Sequence, residues 1–154
     1  MEGLGASQFA VPGAEDRLRN TAEQSHPLVL AATDPANAYG HLLPWPAAGE
    51  GGRCTRVAGA RVILHNGELI AFVARSSDQI TVFLGDDEPH RGQRTVALID
   101  GLKRMARGRR QLSIAKINGE SLADESLHRA LLDAGFRHGY RGYSYKSDVV
   151  DLRA

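Results

Sequence analysis

The run Val62-Ile63-Leu64-His65, Asn66-Gly67, Glu68-Leu69-Ile70-Ala71-Phe72-Val73 constrains this chain more than any other stretch. Two apolar segments meet at Asn-Gly, the dipeptide best able to take the positive φ that both central residues of a type I′ turn require. The chain therefore doubles back there as a β-hairpin. Ser76-Ser77-Asp78 supplies the next turn and Ile80-Thr81-Val82-Phe83-Leu84 a third strand, so from Val57 the pattern reads as a three-stranded meander ended by the acidic loop Gly85-Asp86-Asp87-Glu88-Pro89. The period then changes. Val96, Ile99, Leu102 and Ala106 recur at helical spacing with Lys103, Arg104 and Arg107 pointing elsewhere, and Gly108 closes the helix. Gln111 to Ile117 alternates as a strand with Asn118-Gly119 behind it. Asp124 caps a second helix with the stripe Leu127, Ala130, Leu131 and Ala134, which Gly135 stops ahead of Phe136. Tyr140 to Val150 is a closing strand region. The order β-β-β-α-β-α-β predicts an α+β domain: a mainly antiparallel sheet, curled or forming a partial β-barrel, with two packed helices. No internal repeat is visible.

Upstream of this pattern the chain changes character. Phe9-Ala10-Val11 stops at Pro12, which opens a helix over 13–23 with only Ala14, Leu18 and Ala22 to bury. So thin an apolar face predicts packing against other chain. A brief strand at Pro27 to Ala31 follows, then an irregular loop from Asp34 to Pro46 carrying three prolines, then a flexible excursion over 47–53. Residues 1–30 therefore read as a tail and 31–154 as the domain proper, within the length expected of one domain. No uncharged stretch, Gln24 to Thr33 among them, reaches the roughly 20 apolar residues of a membrane span, and the amino terminus lacks the pattern of a signal peptide. One cysteine, Cys54, excludes an internal disulfide and a cysteine-built zinc site. These features point to a cytoplasmic chain without a membrane partner.

The formal charge of +1 conceals segregation. Residues 1–90 carry 6 Lys and Arg against 11 Asp and Glu, residues 91–110 carry 7 against 1, and residues 111–154 carry 6 against 6. The basic window holds Arg91, Arg94, Lys103, Arg104, Arg107, Arg109 and Arg110, enough to neutralise several phosphates, and equally consistent with a solvated helix face. A second candidate is Arg137 to Lys146, where three of the four tyrosines are interleaved with cations and glycines. On a strand Tyr143 and Tyr145 share one face and, with Arg141, would form a stacking platform for unpaired bases; the alternative is that the rings fill the core, the reading favoured for Tyr143. Lys103, Arg104, Arg107, Arg109, Arg110, Arg141, Tyr143 and Tyr145 are thus the candidate nucleic-acid contacts.

Other motifs carry less. Asp87-Glu88-Pro89-His90 spells the D-E-x-H of helicase ATPases, but no G-x-x-x-x-G-K-[ST] cradle accompanies it, so the stretch reads as an acidic turn. The six histidines lack metal-ligand spacing, and there is no G-x-S-x-G elbow.

Taken together, Glu2-Gly3-Leu4-Gly5-Ala6-Ser7-Gln8-Phe9-Ala10-Val11-Pro12-Gly13-Ala14-Glu15-Asp16-Arg17-Leu18-Arg19, Asp34-Pro35-Ala36-Asn37-Ala38-Tyr39-Gly40, Leu43-Pro44-Trp45-Pro46, the Ala-Gly-Ala hairpin, Ile117-Asn118-Gly119-Glu120, Ala134-Gly135-Phe136 and Tyr140-Arg141-Gly142 resemble the extreme C-terminal region of the bacterial large helicase-related (Lhr) family. The resemblance implies a β-barrel-like module preceded by the tail of a winged-helix module, in a parent protein with ATP-dependent, 3′-to-5′ DNA translocation and unwinding. It implies DNA as partner, most naturally single-stranded, together with upstream winged-helix and helicase modules and assembly into homo-oligomers. The setting implied is bacterial cytoplasm, associated with the nucleoid. ATP and magnesium are implied only for the helicase core, and no cofactor for this chain. Base removal by a glycosylase centre is also associated with the region, and such chemistry needs a flipped base, a carboxylate or amide to position water, and a cavity to hold the base. Asp151 is the candidate here, read from this chain rather than matched to a motif.

Overall fold

A computed structural model describes residues 11–19, 26–47, 52–107 and 109–147. The Asn66-Gly67 turn forms as the sequence predicts, with φ of 49° and 80°, and joins β2 (Arg61–His65) to β3 (Glu68–Val73). Between the pairs Ile63↔Ala71 and Leu64↔Leu69 the ladder slips by one residue, so Ile70 is extra on β3. The bulge lets Ile70 and Ala71 both enter the same core. β1 (Leu28–Ala31) pairs antiparallel with β2, and β4 (Gln79–Val82) antiparallel with β3.

Two expectations for the strands require correction. The segment 111–117 is not one strand: it divides at Ala115 into β5 (Leu112–Ile114) and β6 (Lys116–Ile117). The Ala115 and Lys116 amides both donate to the Asp78 carbonyl, at 2.6 and 3.0 Å, which pulls the chain sideways and sets β6 parallel to β4. The closing region is likewise a hairpin, β7 (Arg137–Gly139) and β8 (Gly142–Tyr145), turning at Tyr140 and Arg141. Gly142 permits that turn with φ of 92°, and any Cβ there would collide with the Ile114 carbonyl oxygen. The result is a five-stranded sheet, β1-β2-β3-β4-β6, and a three-stranded sheet, β5-β8-β7, which do not close into a barrel.

Helices α2 (His90–Ala106) and α3 (Glu125–Asp133) sit between these sheets and share one core with them. On α2 the buried stripe is Thr95, Ala97, Leu98, Gly101, Leu102, Met105 and Ala106, whereas Val96 is 71% exposed and Ile99 half-buried. The helix is thus rotated from the face the spacing of 96, 99, 102 and 106 predicts. The reason is close approach: a Cβ on Gly101 would lie 2.7 Å from Ile63 Cγ2, so the small side of the helix faces the sheet. Gly108 lies outside the described residues. α3 follows its sequence signals. Asp124 Oδ1 accepts from the Leu127 amide at 3.1 Å, and at the other end Gly135, with φ of 95°, and Phe136 donate to Leu132 O and Leu131 O in a Schellman closure.

The proline-rich loop covers the opposite face of the large sheet. Ala32, Cys54 and Ala60 join Val62, Leu64, Leu69 and Phe72 in a second core, with Tyr39 and Trp45 packed against it. Trp45 meets Phe72 edge-on at 5.5 Å and lies near parallel to Tyr39 at 6.5 Å. Short helix α1 (Ala14–Arg19) lies within the span expected to be helical, while residues 20–25 and 48–51 fall outside the described ones. The turn Asp87 to Pro89 leads directly into α2, as the acidic-turn reading requires.

Candidate nucleic-acid interface

The basic window is divided by the fold into two parts with different surroundings. At the start of α2, Arg91 Nη2 pairs with the α3 cap Asp124 at 2.9 Å, and Arg94 Nη2 binds Glu68 Oε2 at 2.5 Å while Nη1 donates to the Leu84 carbonyl. Those two arginines fasten the helix to α3 and to the sheet. Further along, Arg104 pairs with Asp100 one turn back at 3.1 Å, and Lys103 Nζ lies 5.5 Å above the Tyr145 ring. Arg107, Arg109 and Arg110 have no carboxylate partner among the described residues. The free positive charge is therefore concentrated at the exit of α2, where the chain turns into β5.

The small sheet has a packed face and an open face. Its register aligns Ser113, Ser144 and Arg137 in one row and Ile114, Tyr143 and His138 in the next. Alternation sends the first row outward. With Gln111, Gly139, Tyr140 and Arg141 it lines an open groove of about 600 Å3, rimmed by Asp78. Tyr140 is 91% exposed at the hairpin tip, with the Arg141 guanidinium 5.2 Å from its ring.

Tyr143 is 1% exposed and lies in the core, so it offers no ring face to a base; the core alternative favoured for it holds. Its hydroxyl accepts from the Ala123 amide at 3.1 Å and lies 2.7 Å from His128 Nδ1. His138, itself exposed, packs at a tilt against Tyr143 with ring centroids 4.7 Å apart, and its Nε2 donates to the Ser121 carbonyl at 3.2 Å. This cluster ties β8, α3 and the 121–123 loop into the floor beneath the groove. Tyr145 is half-buried against Phe136 at 4.8 Å, on the packed side and not beside Arg141. Arg141 is at the groove, and Asp151 lies outside the described residues. Arg137 and Tyr140, in the same tyrosine-rich window, are site-lining residues that the alternation of strand faces does not point to. The Arg141-Gly142 pair was the available signal, since a positive φ at Gly142 makes 140–141 a two-residue turn and moves Tyr140 to its tip.

Comparison with known proteins decides the family. Over 94% of its length the chain is 33% identical to the Lhr helicase/uracil glycosylase of Escherichia coli K12, and over 92% it is 37% identical to the Lhr helicase/probable uracil glycosylase of Mycolicibacterium smegmatis. The chain is a module of the Lhr family. It spans about a tenth of the length of these relatives, as a C-terminal module would. No family model matches it. Among the described residues no group of three or more His, Cys, Asp or Glu is placed to hold a metal ion, and no helix is long and apolar enough to cross a membrane.

Proposed function

We propose that this chain is an accessory module of an Lhr-type ATP-dependent 3′-to-5′ DNA helicase working in DNA repair, and that it contacts nucleic acid without an ATPase motif of its own. The observation that carries this reading is the cluster Arg107, Arg109 and Arg110, three cations without carboxylate partners among the described residues, continuous in sequence with the strand that edges an open groove. Affinity from such a cluster is electrostatic and falls with salt. Binding of a short oligonucleotide to the chain and to a variant with Arg107→Ala, Arg109→Ala and Arg110→Ala together tests it. The variant is expected to bind about tenfold or more weakly and to lose about two units of the salt slope; equal binding by both chains contradicts the reading. In this account residues 1–30 are the tail of a preceding winged-helix module, and contact with parent-chain modules or with further copies accompanies DNA contact. Light scattering that finds only monomer contradicts the assembly part.

A second reading is favoured by the names of both relatives, which include uracil glycosylase. Here the chain contributes part of a centre acting on flipped bases, with Asp151 positioning water. Incubation with uracil-containing single strands followed by alkali decides it, since intact strands reject the activity for this module.

A further inference from the structure

We propose that the groove on the open face of β5-β8-β7 is a seat for one unpaired nucleotide, its base stacked on Tyr140 and its phosphates held by Arg137 and Arg141. This rests on the nucleic-acid reading above and names the strand class and the residues that select it. Tyr140 is the observation that requires an explanation: a large ring, 91% exposed, with the Arg141 guanidinium 5.2 Å from its centroid. Tyrosine of structural use lies with its ring in the core and its hydroxyl bonded, as Tyr143 does three residues later. With a cation on one face, the ring offers its other face to a flat partner, and a nucleobase supplies one.

The surface beside the ring suits the rest of a nucleotide. Ser113, Ser144 and Gly139 are small, so a sugar-phosphate chain approaches the sheet closely, and a Cβ on Gly139 would meet nothing within 4 Å. Arg137 stands in the Ser113–Ser144 row and has no ion-pair partner among the described residues. The one carboxylate on the lining, Asp78, is engaged by the Ser76 hydroxyl. Charge complementarity thus favours a polyanion, and the exposed ring favours a polyanion with free aromatic faces. A duplex keeps its base faces stacked and cannot use Tyr140.

Fluorescence anisotropy with labelled 12-mer single strands, the matching duplex and a single strand of abasic residues, read with the 154-residue chain, tests this. Tyr140→Ala is expected to weaken single-strand binding about tenfold, Tyr140→Phe to restore it, and abasic strand and duplex to bind equally to both Tyr140→Ala and the parent chain. Arg137→Gln is expected to weaken every strand and to flatten the salt dependence. Because Tyr140 is exposed, circular dichroism should find the variants folded. Single-strand binding indifferent to Tyr140→Ala, or displacement of the strand by a poly-glutamate peptide of equal charge, overturns the proposal while leaving nucleic-acid contact standing. No binding of any nucleic acid by the parent chain overturns both.

Discussion

Asn37 is 1% exposed in the middle of a loop that reads as irregular. Its amide nitrogen donates to Ala32 O at 2.9 Å and Tyr39 O at 3.3 Å, its Oδ1 accepts from the Tyr39 amide, and Arg56 donates to its carbonyl at 2.7 Å. One side chain thereby satisfies the backbone of the loop that covers the second core. Asn37→Ala is expected to destabilise the chain by about 2 kcal/mol in urea melts, because it strands buried carbonyls. Cys54 belongs to the same core, and burial pushes its thiol up to about 11, against a weaker pull from the Thr81 hydroxyl. The folded chain keeps that proton where the unfolded chain has lost it, so the contribution is present below about pH 9 and declines as pH rises from 9 to 11. Comparing the parent with Cys54→Ala across that window should show about 2 kcal/mol of alkaline destabilisation that only the parent suffers, and the folded thiol should resist iodoacetamide at pH 8. An asparagine among prolines reads as a turn former, so neither role was legible in sequence: the Asn37 side chain is fixed by burial and by the backbone of Ala32 and Tyr39, and Cys54 by packing against the distant strand that carries Thr81.

At the level of elements, what was legible followed from local chemistry. The Asn66-Gly67 hairpin and both ends of α3 are specified by φ and by capping hydrogen bonds within a few residues, and each forms where the sequence predicts. The misread elements are those decided by distant partners. Gly101 against Ile63 rotates α2, and the Asp78 carbonyl divides the strand at Ala115. The same logic places Tyr143 in the core and Tyr140 at the hairpin tip, a placement that the register settles and that the Arg141-Gly142 pair alone signals in sequence. Asp124 joins two elements, capping α3 and pairing with Arg91 of α2. Asp124→Ala should cost about 1–2 kcal/mol, and Asp124→Asn, which keeps the cap and loses the charge, should recover most of it; equal losses from both would mean that the ion pair and not the cap matters.

For the whole molecule, a charge of +1 is uninformative until the fold sorts it. Arg91, Arg94 and Arg104 are consumed by Asp124, Glu68 and Asp100, while Lys103, Arg107, Arg109 and Arg110 collect at the exit of α2 and Arg137 and Arg141 at the neighbouring hairpin. The relatives of this chain are named as helicases and are about ten times its length, and the nucleic-acid contact proposed above concerns the 154 residues alone. The module's own share is separable by measurement. Titrating a single-stranded oligonucleotide with this chain at stepped salt is the most direct test: engagement of about four phosphates predicts affinity falling about 50-fold between about 50 and 200 mM salt. A flat salt dependence, or no binding at the lowest salt, would contradict the account.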